Sequence, residues 1–422
     1  MLLRLTDGTT TLTLSGAGAY LGATYFPSGG GADGRVTESF PIVLEGTEAA
    51  IRAAVNAVQA MFAQARGRER SLTARVFVEY RPTDSGDILR SEIFDGDAPY
   101  SQVPAERMLT AALNTVRVVV AWERADEWEG PETELPMASS VHAERTGGVT
   151  VTGSAGINYA TMTAANVKGT RPAPIRLRVL NASGSTLSWR TIHAGLNVYS
   201  APTSADLWLL GSEATGGGSA SWSAGVNHNS LTWLIPFTTT LLGQTQGRTF
   251  RILAAFDSIT STANVRASVG SYVGGVYVPT RYGSERTTLR ELIDLGEFAV
   301  PPGGYSVANA AAAMAITVRS AFAGSAVLNF VMLMPTDGYR RLEQVGFTTA
   351  NGAGVEDDGI EGGAYAVSGS SRYPIVATTG DGVRVHPGRD QRLYVLYGED
   401  GPWVAGRTMT VQAWYRPIYD NI

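Results

Sequence analysis

Apolar positions recur at two periods along this chain, and the two periods divide it unequally. Over residues 47–66 they fall three and four apart. Ile51, Ala54, Val55, Val58, Met61, Phe62 and Ala65 share one side of a helix. Thr47 is placed to cap it, Glu48 suits the positive end of its dipole, and Arg66 followed by Gly67 reads as its stop. Alanine fills most other helical positions, so the helix can approach a sheet closely. It reads as a cover over one face of a sandwich, with no chemistry on it.

Nearly everything else alternates or forms short apolar runs. Residues 2–5 and 10–14 read as strands around Asp7-Gly8, a hairpin turn pair. Residues 36–44 lead into the helix. After it come 72–80, with Val76, Val78 and Tyr80 on one side, then 88–94 and 115–123. Residues 126–140 are polar, with Pro131 and Pro136, and read as a linker. From Gly147 about nine short strands follow without a helix, a jelly-roll signature. Among them 327–334, VLNFVMLM, is apolar on both sides and should be central.

Beyond residue 337 the sequence shows a glycine-rich loop with Glu356, Asp357, Asp358 and Glu361, then strands at 391–397 and 407–414. So few strands cannot hold a core alone. The expected fold is mainly β: a helix-flanked β-sandwich plus a jelly-roll β-sandwich domain. Its expected parts are 1–128, a linker at 129–146, a jelly roll resembling a carbohydrate module at 147–336, and 337–422 returning to complete the first sandwich.

Composition narrows the function. The net charge of −5 gives no basic field for nucleic acid. Of 33 basic residues only Lys168 is lysine, which fits either a GC-rich genome or a heat-stable source. Cysteine is absent, excluding disulfides and thiolate metal sites. The N-terminus does not read as a signal peptide, and no apolar run is long enough to span a membrane.

Candidate chemistry is sparse. His142, His193, His228 and His386 have no partner at metal-ligand spacing, and His193 reads as a sheet residue. Asp95 and Asp97 in FDGDAP, and Asp381 in TGDGV, read as turns and not as calcium ligands. No nucleophile-elbow, phosphate-loop or zinc-helix motif occurs. A glycosidase acid pair meets only in space, so the sequence leaves it open. Catalytic residues, metal ligands and cofactors are therefore expected to be none. The aromatics are more suggestive. Trp208, Trp222, Trp233 and Tyr272 lie on or beside strands of the jelly roll, where they either fill its core or stack on sugar rings. Trp222, in GGGSASWSAG, reads as the best exposed of them.

Three stretches carry a resemblance: TEAAIRAAVNAVQAMFAQA with its flanking strands, NFVMLMPTDGYRRLE, and TVQAWYRPIYDNI. With the architecture above they resemble tail proteins of tailed bacteriophages, of the distal-tail and tail-tube kind. The resemblance implies a non-catalytic structural virion protein, made in the host cytoplasm and placed in the tail. It implies partnership with copies of itself in a ring, sixfold by preference, and with other tail proteins. An added carbohydrate-module-like domain implies a host-surface glycan as a further partner. The long stacking hairpin usual in tube proteins is not identifiable, so tube, distal-tail and minor-tail positions stay open.

Overall fold

The computed structural model describes the chain apart from residues 17–18, 22–24, 29–32, 72–73, 85, 99–114, 200–206, 215–216, 224–229, 235–247, 261–262, 288–291, 300–309, 320–321, 345–348, 375, 400–403, 405 and 421–422. It forms two units. The first comprises Met1–Glu132, Lys168–Pro172 and Arg416–Ile422; the second comprises Thr133–Val167 and Ala173–Tyr415.

In the first unit the strands are β1 (Leu2–Thr6), β2 (Thr11–Thr13), β3 (Ala19–Leu21), β4 (Arg35–Glu45), β5 (Val76–Arg81), β6 (Leu89–Asp97), β7 (Thr115–Ala125) and β8 (Trp128–Glu129). They join in the order β2-β1-β5-β6-β7-β4-β3, with β8 on β6 and the short strand Ile418–Tyr419 on β8. The helix α1 (Glu48–Ser71) lies between β4 and β5 in sequence. Its N-terminus is capped as expected: Thr47 Oγ1 accepts from the Ala50 N–H at 3.2 Å. Ile51, Val55, Val58, Met61, Phe62 and Ala65 are all buried, in one core with Val76, Val78, Ile93 and Val118 of the sheet.

The helix does not stop at Gly67. It runs on to Ser71, because the turn that follows is docked: Arg66 pairs with Asp95 and Arg68 with Glu92, both on β6. The strand expected at 72–80 therefore begins only at Val76.

The second unit contains β9 (Thr133–Glu134), β10 (Val149–Thr152), β11 (Tyr159–Met162), β12 (Ala173–Asn181), β13 (Trp189–Tyr199), β14 (Trp208–Leu210), β15 (Ser219–Trp222), β16 (Ser230–Leu234), β17 (Thr249–Ile259), β18 (Asn264–Val273), β19 (Val276–Tyr282), β20 (Arg286–Thr287), β21 (Leu292–Ala299), β22 (Ala310–Arg319), β23 (Gly324–Pro335), β24 (Tyr339–Gln344), β25 (Ala353–Asp358), β26 (Ala364–Ser368), β27 (Ser371–Tyr373), β28 (Val376–Thr379), β29 (Arg384–Val385), β30 (Asp390–Glu399) and β31 (Thr408–Tyr415). They make four sheets. An eight-stranded sheet follows β10-β31-β12-β25-β26-β27, with β9 on β31 and β29 on β12; a five-stranded one follows β11-β30-β13-β24-β28. Two further five-stranded sheets, β14-β23-β17-β21 with β15 on β23 and β16-β22-β18-β19 with β20 on β18, lie between β13 and β24 in sequence. Their inner faces share a core that includes Phe250, Phe256, Val265, Ile316 and Phe330. The apolar run at 327–334 is central as expected, since β23 pairs with β14, β15 and β17.

The mainly β class holds, and three boundaries move. Strands β24–β31 do not return to the first unit; β31 lies between β10 and β12, and β30 between β11 and β13. Alternation sets this. TMTVQAWY of β31 buries every second residue, as APIRLRVLN of β12 does, so the two align over one core. Among the described strands beyond residue 337, only Ile418–Tyr419 pairs in the first unit, with β8. Residues 147–336 accordingly do not form one self-contained jelly roll, because β10–β13 share sheets with strands beyond residue 337. Nor is 129–146 a free linker: β9 pairs with β31, and Leu135 and Met137 are buried.

Candidate functional site

Of the four aromatics singled out from sequence, Trp208 and Trp222 lie on β14 and β15 of one sheet, and Trp233 and Tyr272 on β16 and β18 of another. Trp208 on β14 is half-buried, stacked on Tyr159 at 6.2 Å between ring centroids and set edge-on to Tyr394 at 6.3 Å. The Arg392 guanidinium covers the Tyr159 ring at 4.5 Å. Trp222 is not exposed on a loop. It ends strand β15, is 8% exposed, and donates its indole N–H to the Phe322 carbonyl at 2.8 Å. Gly324 opposite it leaves the space the ring occupies, since a β carbon there would lie 2.7 Å from the indole. Trp233 lies opposite Met314 of β22, and Tyr272 opposite Tyr277 of β19. Their side chains are outside the described residues.

Other candidates resolve as framework. Asp95 and Asp97 belong to β6 and not to a turn; Asp95 pairs with Arg66, and Asp97 accepts from Gln59 Nε2 at 2.8 Å. His142 Nδ1 accepts from the Thr150 N–H at 3.0 Å. His193 is buried on β13 as the sheet residue expected, with Nδ1 2.7 Å from the Tyr339 hydroxyl. Burial pulls its pKa down to about 4, against an opposing pull from Asp294, so the ring is neutral. Among the described residues no His, Asp and Glu cluster could hold a metal ion. None of the described helices is long and apolar enough to cross a membrane.

The first unit holds a buried ionic cluster. Glu38 on β4 accepts from Tyr25 Oη at 2.6 Å, Trp122 Nε1 at 2.8 Å and Arg124 at 2.7 and 3.0 Å. Arg124 is fully buried, lies over the Trp128 ring and donates to the Ser28 carbonyl. Burial pushes the Glu38 carboxyl up, but the hydrogen bonds from Arg124 and Tyr25 outweigh it and hold the group below the ordinary carboxylate value. This cluster ties residues 25–28 to the sheet. Its two charged members, Glu38 and Arg124, are both buried. An apolar groove of about 340 Å³ lies between the first half of α1 and β2, β4 and β7, lined by Leu12, Leu14, Ile51, Ala54 and Val118.

The polar arrangement that sequence reading missed is on the outer face of the eight-stranded sheet. Alternation in β12 turns Ile175, Leu177 and Val179 inward and leaves Arg176 and Arg178 outward. Register then places Trp414, Arg176 and Asp358 in one cross-strand row. The next row holds Gln412, Arg178, Glu356 and Tyr365. The two guanidiniums lie over the Trp414 ring at 4.7 and 5.2 Å. Arg178 Nε donates to Glu356 at 2.7 Å, and Arg372 reaches the same carboxylate from β27 while covering the Tyr365 ring at 5.6 Å. The acidic run at 356–358, expected in a loop, is thus the second half of β25. Asp357 points the other way, to Arg340 at 2.9 Å on β24, and burial raises its pKa. The signal was present in the sequence as the alternating PIRLRVLN and TMTVQAWY.

No family model matches the chain, and no curated protein matches it. Among solved structures, one of the phage P2 baseplate in its activated conformation with Ca aligns over 100% of this chain and 99% of that chain, at 9% identity and a TM-score of 0.30. A structure of infectious bursal disease virus Gt strain aligns over 68% of this chain and 80% of that chain, at 11% identity and a TM-score of 0.19.

Proposed function

We propose that the chain is a structural virion protein, a tail component of a tailed bacteriophage in the distal-tail or minor-tail position. It acts by assembly and not by catalysis. The supporting observation is how the first unit disposes its apolar surface. Most of the apolar side of α1 is buried in the core of the first unit, with Phe62 0% exposed, and Ala54 alone of that side is exposed, along the groove; in this reading the helix serves its own core and not assembly. The sheet path ends on β2 and β3, three residues each, and each pairs on one side only among the described strands. A closed ring needs two different patches that meet, and open sheet edges supply such patches. In this reading the subunits meet through sheet edges and adjoining loops, the ring is sixfold, and the other partners are neighbouring tail proteins. The chain is made in the host cytoplasm and incorporated into the tail.

Analytical ultracentrifugation over a wide concentration range, with immunodetection in purified particles, tests this. A concentration-dependent ring and presence in particles are expected. A monomer at every concentration that is missing from particles refutes the proposal.

A further inference from the structure

We propose that the two sheets inserted between β13 and β24 close onto the β11-β30-β13-β24-β28 sheet around His193, and that protonating His193 parts them while each sheet keeps its own strand pairing. Register on that base sheet puts Leu396, His193 and Arg341 in one cross-strand row and Tyr394, Gly195 and Tyr339 in the next. Tyr339, Tyr394 and Leu396 belong to the core of the inserted sheets, so the inserted sheets pack on this face. Gly195 permits a close approach, since a β carbon there would collide with Met334 of β23. His193 is buried in the same seam, with Nδ1 2.7 Å from Tyr339 Oη. The seam is tied at the end where β23 turns into β24: Arg248 donates to Asn197 at 2.7 Å and to Asp337 at 2.8 Å.

The charges around the imidazole decide its preferred state. Arg251 of β17 lies over the Tyr339 ring at 5.0 Å and donates to Asp294 of β21 at 3.1 Å. It also pairs with Glu297 at 3.4 Å, and Arg341 of β24 pairs with Glu343 at 2.9 Å. Asp294 favours an imidazolium at His193, whereas Arg251 and Arg341 oppose one; β30 places the apolar Leu396 beside it. Asp294 is already committed to Arg251, so the closed seam offers a charged imidazole neither water nor a free counter-ion. Parting the sheets lets water reach the imidazole, so proton binding favours the open form. An imidazole that titrates at about 4 when closed and at 6.5 when wet shifts the opening equilibrium about fiftyfold between pH 7 and pH 4.5. The seam lies within the second unit, and its opening is independent of subunit assembly.

The test uses the full chain, which has no cysteine of its own. Met334→Cys places a thiol in the seam, and Val411→Cys places a buried reference thiol on β31. Each is labelled at pH 7 and pH 4.5 with a pyridyl disulfide, which reacts with thiols in acid as well as at neutral pH. Each rate is divided by that of the same thiol in the urea-unfolded chain. The seam thiol should gain about fiftyfold in relative reactivity on acidification, the reference thiol far less, and His193→Gln should abolish the gain. No gain at the seam, an equal gain at both thiols, or a gain that persists in His193→Gln overturns the proposal. The comparison of the two thiols is made with His193 in place, so it stays decisive if His193→Gln fails to fold.

Discussion

Phe62 of α1 lies flat against the backbone of Gly96 on β6, so close that a β carbon at residue 96 would sit 2.5 Å from its ring. The helix can approach the sheet there only because residue 96 has no side chain. Gly96→Ala should therefore destabilise the first unit by about 1–3 kcal/mol through overpacking. Combining it with Phe62→Leu should cost less than the two changes added, as shared space requires. Denaturant unfolding of the four proteins in the cycle measures this, and strict additivity would contradict the packing described.

Phe62→Asn separates core from interface. A buried polar group without a partner should unfold the first unit, beyond the roughly 3–5 kcal/mol of a large truncation at such a site. Near-ultraviolet circular dichroism and proteolysis read the outcome. A folded Phe62→Asn monomer that fails to assemble would make α1 an interface element.

Glu38→Gln should cost about 3–5 kcal/mol, because it leaves the fully buried Arg124 without its counter-charge. The carboxyl lies below its ordinary value of 4.5 in the fold. Its contribution is therefore present above that value and is lost as pH falls through the folded one. The variant should unfold at lower denaturant at pH 7, with the gap to wild type narrowing in strong acid. A constant gap across that range would show that the ion pair does not act through Glu38 ionisation.

Much of this could be read in the sequence, and the misses share a cause. The helix face from Ile51 to Ala65 and the central run at 327–334 follow from periodicity alone, which is local. Strand partnership is not local. TMTVQAWY shows which residues of β31 face inward, but not that β12, more than two hundred positions earlier, lies beside it. The same limit hid the polar outer face of the eight-stranded sheet, whose rows draw on β31, β12, β25 and β26. Trp222 departs from its expected exposure for another reason: its glycine-rich surroundings read as a loop, whereas Gly324 opposite makes room for a buried ring.

His193 gives the second unit an acid sensitivity. Its folded pKa of about 4 lies below the ordinary 6.5. The folded ring stays neutral while the unfolded one takes up a proton, so stability is complete above pH 6.5 and falls as pH drops toward 4. At about 1.4 kcal/mol per unit, the loss is on the order of 3 kcal/mol. Thermal unfolding of wild type and His193→Gln at pH 7 and pH 4.5 checks it. The wild type should lose more across that interval, and equal losses would remove His193 from the account.

The central claim, that this chain is a ring-forming tail component, is tested most directly by a cryo-EM map of the particle that carries it. The expected result is a closed ring of identical copies, sixfold, with each α1 against its own sheet and the sheet edges at the subunit boundaries. Particles lacking the chain, or a ring in which α1 itself forms the boundary between copies, would contradict it.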